Sequence, residues 1–219
     1  MTNAVTTQKP GEVTYREPTM ADVGVSANDI ELPRIFAMQP QSPQVVDGDA
    51  KMGDFVSNMD NKVLGSIDKP MEFIPLSMYK VWHVFDSNGD LKEIEPFNAM
   101  NANRPYQDNG LTYSLVMNFY VLLPGEPLPF ILGFKKTSLR AGKALATQIL
   151  INQKMGKPPY GKVIKLTGKK EKNDKGTFIR LGIIASRDIK KSEEKEVLEW
   201  VNMLNQKPVR EAPPEPNDI

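Results

Sequence analysis

Apolar and polar positions alternate at the two-residue period of a strand over Met71 to Phe85. Tyr79, Val81, His83 and Phe85 fall on one side there, with Lys80, Trp82 and Val84 on the other. Leu111 to Leu123 reads as a second long strand, and a proline-rich corner (Pro124, Pro127, Pro129) separates it from a third, Phe130 to Phe134. A shorter apolar run, Leu32 to Met38, precedes them, with Pro33 near its start, where a strand tolerates proline. Between Gln39 and Asp54 the chain is turn chemistry, with Pro40, Pro43, Asp47-Gly48 and Gly53. Residues 91–110 hold Pro96 and Pro105 and are polar, which predicts a long loop after the Asn88-Gly89 turn.

The period changes at Ser138. Leu139, Ala141, Ala144, Leu145, Ile149 and Leu150 gather on one broad side, predicting a helix over Ser138 to Lys154 that Gly156, Pro158 and Pro159 end. Two strands follow, near Lys162 to Lys170 and Thr177 to Arg187, joined by a turn through Asn173, Asp174 and Gly176. A last helix starts near Ser192, a predicted N-cap followed by Glu193, Glu194 and Glu196, which suit the positive end of the helix dipole. Its apolar stripe is Val197, Trp200, Val201 and Leu204. These elements imply an α+β fold, mainly antiparallel β. One helix is inserted and one is C-terminal, a count that an OB-like barrel satisfies, as do several open sheets. Residues 1–29 are polar with no sustained periodicity and read as a flexible N-terminal arm; residues 30–206 form a single β-rich domain. Residues 207–219 read as an acidic, Pro-rich tail, a docking handle for other proteins.

Net charge of +1 conceals a segregation. Residues 135–191 carry 16 Lys/Arg against 3 Asp/Glu, a net of +13, whereas residues 1–50, 51–134 and 192–219 each net −4. Such asymmetry points to a polyanionic partner. Candidate phosphate-holding cations are Lys135, Lys136, Arg140, Lys143, Lys162, Lys165, Lys169, Lys170, Lys172, Lys175 and Arg180. Candidate rings for stacking bases are Tyr160 and Phe178 beside the basic block, with Tyr79 and Trp82 from the long strand. The competing expectation for the lysines is a soluble edge that resists aggregation, and for each ring a place in the core.

Enzymatic chemistry finds little support. There is one histidine, no cysteine, no phosphate-binding GxxxxGK[ST] run and no GxSxG. Asp47, Asp49 and Asp54 do not match a calcium loop, so no metal or cofactor is expected. No run of about 18 apolar residues is present, and the first residues lack the apolar core of a signal peptide. The expected compartment is the cytoplasm, with no membrane partner.

Beginning at Leu32, LPRIFAMQPQSPQVVDGDAKMGDF resembles the opening of bacteriophage single-stranded DNA-binding-like proteins. PFILGFKKTSLRAGKALATQI resembles their strand-to-helix junction, and YGKVIKLTGKKEKNDKGTFIRLGI their final hairpin with its Asn-x-Lys-Gly turn. The resemblance covers roughly residues 30–205 and implies an oligonucleotide-binding barrel that coats single-stranded DNA in phage replication or recombination. It assigns no individual contact. The chain departs from many single-strand binders in its last residues, Asn217, Asp218 and Ile219, where those proteins carry a long acidic tail closed by an aromatic residue. Alternatives are a virion structural protein and an accessory factor of a recombinase or polymerase.

Overall fold

The computed structural model describes residues 30–174 and 176–206. The arm, the tail and Lys175 lie outside the described residues. In chain order the elements are β1 (Arg34–Ala37), α1 (Pro43–Val46), β2 (Asp54–Ser57), β3 (Val63–Ser66), β4 (Met71–Phe85), β5 (Leu91–Pro96), β6 (Gln107–Asp108) and β7 (Leu111–Leu122). They continue with β8 (Phe130–Lys135), a single 3-10 turn (Lys136–Ser138), α2 (Leu139–Lys154), β9 (Lys162–Asn173), β10 (Gly176–Asp188) and α3 (Lys191–Gln206). The fold is α+β and mostly β, one curled open sheet in the order β10-β9-β4-β7-β8-β1-β2-β3, with β5 on β4 and β6 on β7. All pairings are antiparallel except β1 with β8.

Alternation along each strand decides what each face buries. Phe73, Met117, Phe119, Leu132, Phe134, Ile164 and Leu166 point inward, where Ala141 and Leu145 of α2 pack on them. Phe119 and Phe134 meet edge to face at 5.6 Å, the arrangement that ring quadrupoles favour. Ile74, Leu76, Tyr120, Leu122, Ile131 and Val163 point outward and are covered by Val197, Trp200 and Leu204 of α3. A register shift between Pro75 and Ser77 interrupts the β4–β7 ladder. The Trp82 side chain joins Val84 and Tyr113 in a third, smaller cluster beyond α2.

The sheet's curl brings β10 back towards β1 and β8. Ile179 donates its backbone N–H to Gln39 Oε1 at 2.8 Å, and Leu181 donates to Ser138 Oγ at 3.0 Å. Gln39 follows β1 and Ser138 follows β8, so two side chains satisfy amides of a strand edge that, among the described residues, no neighbouring strand reaches there. Ser138 is the N-cap of α2 but its hydroxyl makes no capping bond.

Several predicted elements need correction. The loop expected over 91–110 contains β5, which pairs with β4 from Val81 to Phe85. Its sequence, LKEIEP, has its charged side chains largely in solvent, so backbone pairing and not apolar patterning makes it a strand. The turn-rich run after Gln39 includes the short helix α1. Ser192 is not the N-cap of α3. The helix begins at Lys191, and the Lys190 carbonyl accepts the Glu194 N–H. Glu193 instead locks the start: Arg187 grips its carboxylate at 2.8 and 2.6 Å, and the Lys190 N–H donates to it at 2.7 Å. That hydrogen bonding holds the Glu193 carboxyl down at about 2.

The inner layer is tightly packed at Gly142, where a Cβ would lie 2.9 Å from Phe134 Cβ. Replacement of Gly142 by Val is expected to destabilise the fold by about 1–3 kcal/mol through overpacking. Thermal denaturation measures this, and an unchanged midpoint would mean that α2 does not rest on β8 here.

Candidate nucleic-acid interface

Three segments distant in sequence converge at one end of the curled sheet. They are the stretch from Ile35 to Asp47, the end of β8 with the 3-10 turn (Gly133, Lys135 to Ser138), and the tip of the β9–β10 hairpin (Asn173, Gly176 to Ile179). Together with Gly89 and Asp90 from the β4–β5 turn they line a groove of about 950 Å3. A second hollow of about 310 Å3, lined by Phe85, Asp86, Tyr106, Thr112 and Ser114, shares Gly89 and Lys136 with it. Lys136 therefore stands between the two.

Lys136 is also conformationally unusual. Its φ of 50° places it in the left-handed region, which costs a side chain about 1 kcal/mol or more relative to glycine. The turn reverses the chain out of β8 and into α2, and leaves the ammonium 5.8 Å from the centre of the Phe85 ring. Asp47 and Asp90 lie on the rim of the larger groove, so the cations are not the only charges there.

Behind the groove lies the chain's single histidine. His83 is buried on the outer face of β4, and its imidazole is pushed down to about 4, first by burial and then by the charges of Lys135, Arg34 and Lys136. Arg34 is itself buried and donates to Asn118 Oδ1 at 3.2 Å. Three cations thus share one small region without His83 adding a fourth at neutral pH.

The predicted cations are divided among different surroundings. Lys135 and Lys136 line the groove, while Arg140 and Lys143 are exposed on the first turns of α2. Lys162 pairs with Asp188 at 2.6 Å, Lys165 with Glu72 at 3.7 Å and Arg180 with Glu171 at 2.7 Å. Lys169, Lys170 and Lys172 are exposed at the hairpin. By strand alternation, Lys169 shares a face with Arg180, and Lys170 and Lys172 take the other. A count of charge along the chain therefore overstates what any one surface presents.

The rings separate as well. Phe178 lines the groove. Trp82 is 7% exposed, stacks on Phe97 and donates its indole N–H to Asn101 Oδ1. Tyr79 packs against Tyr120 with ring centres 5.2 Å apart, and Tyr160 packs on the outer apolar cluster. Those three serve the packing of the fold. Two rings at the grooves were missed from sequence: Phe36 in the larger, and Tyr106, 69% exposed, in the smaller. Tyr106 sits in a polar stretch with no periodicity to mark it, and Phe36 was counted only as part of a short apolar strand.

Burial of His83 has a consequence for stability. The unfolded chain protonates it near 6.5 and the folded chain only near 4, so between these values the unfolded state binds more protons. Its contribution is complete above about pH 6.5 and declines as the pH falls towards 4. Replacement of His83 by Gln should flatten the loss of thermal midpoint between pH 6.5 and 5, a window above most carboxylates. An unaltered slope would show that His83 titrates normally.

Among the described residues, no helix is long and apolar enough to cross a membrane, and no group of three His, Cys, Asp or Glu is placed to hold a metal ion. Searches of curated proteins and of solved structures found no match. A family described as Pam3 phage gp34-like protein matches residues 6–194. With most of its length matched, and both grooves inside the matched stretch, the chain belongs to the Pam3 phage gp34-like protein family, a family of phage proteins.

Proposed function

We propose that the chain is a non-enzymatic binder of single-stranded DNA in phage replication or recombination, and that five of its strands form an OB-type barrel. The strand order supports the second part. β4, β7 and β8 run as a meander, α2 follows β8, and β9 pairs with the start of β4 and with β10. The return of β10 to Ser138 and Gln39 closes the circuit with side chains. OB-type barrels take oligonucleotides on the face of their second and third strands, between the loop joining strands one and two and the loop joining four and five. Here those parts are β7 and β8, the 86–110 connection and the 173–176 tip.

One observation carries the reading. These three parts converge on Lys136, a strained lysine between two hollows, with Lys135 beside it and Phe36, Phe178 and Tyr106 on the walls. Lys135 and Lys136 hold phosphates, and the rings offer faces on which bases stack, worth roughly 1–3 kcal/mol per base. Arg140 and Lys143 extend the track along α2. Sequence preference is slight, because charge and ring faces read no base edges.

Fluorescence anisotropy of a labelled oligothymidine across a salt series tests this. Log affinity should fall linearly with log salt, with a slope of about −0.7 per phosphate neutralised. Reversing Lys135 and Lys136 to Glu should weaken binding more than reversing Lys169, Lys170 and Lys172. Absence of saturable binding at low salt, or preference for duplex, overturns the proposal.

A second variant separates function from folding. Lys136→Gly relieves the left-handed strain and removes the ammonium, so the thermal midpoint should rise while oligothymidine affinity drops. A variant that gains stability at no loss of affinity would remove Lys136 from the interface.

A further inference from the structure

The smaller hollow is built differently from the groove it adjoins. Its floor is Phe85, Thr112 and Ser114, which share one face of the β4–β7 ladder: Phe85 is in register with Thr112, and Ser114 lies two positions further along β7. The β4–β5 turn, from Asp86 to Gly89, makes one wall. Asp86 Oδ1 accepts the N–H groups of Asn88 at 2.8 Å and Asp90 at 3.0 Å, so the carboxylate is fixed by its own turn. Tyr106 makes another wall. Its carbonyl accepts the Tyr113 N–H at 2.8 Å, which anchors the residue to β7 while its ring stays exposed. Lys136, also exposed, stands where the hollow meets the larger groove.

We infer that this hollow takes one unstacked base from a bound single strand, and that Asp86 selects guanine there. The inference rests on the DNA-binding function proposed above and adds a ligand to it. A volume of about 310 Å3 is at the small end of ligand sites, room for one base and not for a run of them. A carboxylate in the wall repels phosphate, so the strand's backbone stays at Lys136 and only a base enters. Hydrogen-bond chemistry then chooses the base. A carboxylate only accepts, and it bonds best to two neighbouring donors, as it does with arginine. Guanine alone among the four DNA bases offers such a pair, its N1–H and its 2-amino group. Thymine, adenine and cytosine each set an acceptor beside their donor. Guanine O6 is an acceptor suited to Lys136, which only donates, and its ring faces suit Tyr106. Charge and rings along the rest of the track read no base edge, so the preference is confined to this one position.

Competition anisotropy with the full chain tests this. Unlabelled oligothymidines carrying one central deoxyguanosine, deoxyinosine or deoxyadenosine displace labelled oligothymidine at low salt, beside the plain strand. The deoxyguanosine strand should bind about fivefold tighter than plain oligothymidine, the lower end for a bidentate base contact. Deoxyinosine lacks the 2-amino group and deoxyadenosine sets an acceptor beside its amine, so both should compete like thymidine. Asp86→Asn keeps the Oδ1 that holds the turn and replaces the second acceptor with a donor. In that variant the deoxyguanosine and plain strands should bind alike. Equal affinity for all the strands in a wild-type chain that binds oligothymidine overturns the inference and spares the proposed function. An advantage that deoxyinosine shares, or that Asp86→Asn retains, overturns it too. A chain that binds none of the strands sinks both readings.

Discussion

Closure of one strand edge organises this molecule. The backbone amides of Ile179 and Leu181 would be open donors on the last strand of a curled sheet, and Gln39 and Ser138 supply the acceptors. A serine at a helix N-cap ordinarily turns its hydroxyl to the helix, a bond worth about 1 kcal/mol. Ser138 gives that up and ties α2 and β8 to β10. Because the same two contacts hold the hairpin tip against the ends of β1 and β8, the walls of the larger groove depend on them. Fold and site are fixed by the same bonds.

Long regular elements were legible in the sequence. The strand predicted over Met71 to Phe85 has those limits in the structure, and the helix expected from Ser138 begins one residue later, at Leu139. The hairpin and its turn were also readable, since Asn173, Asp174 and Gly176 punctuate two apolar runs. β2, β3 and β5 were not anticipated as strands. Each is short, and what makes it a strand is a neighbour's backbone: β1 for β2, β2 for β3, and β4 for β5. Tertiary pairing of that kind leaves little trace in side-chain pattern.

The candidate interface was half legible, for a physical reason. Charge is a property of composition, so Lys135 and Lys136 stood out, but pairing is a property of space. Glu72, Glu171 and Asp188 meet three of the hairpin cations, which a linear count cannot register. Rings pose the opposite difficulty. Alternation put Tyr79 and Trp82 on opposite faces of β4, as the register has it, yet both faces of this sheet carry apolar layers. A ring in the middle of such a sheet goes to packing, and the groove-lining rings that were missed come from places where order is weakest in the pattern, half-buried Phe36 near a strand end and exposed Tyr106 in a connection.

The bond between Gln39 and Ile179 spans 140 positions. A ribosome adding roughly 5–20 residues per second needs roughly 7–28 seconds to make that stretch. Early in that interval β1 gains β2 as a partner; its other neighbour, β8, comes about two-thirds of the way through, and the final hairpin only at the end. The nascent chain must keep the free edge of β1 from alien pairings until β8 is made, and Gln39 waits longer still for β10. Such a protein gains its native topology only after synthesis is nearly finished, and its vulnerability to misassembly is set by translation speed as much as by equilibrium stability.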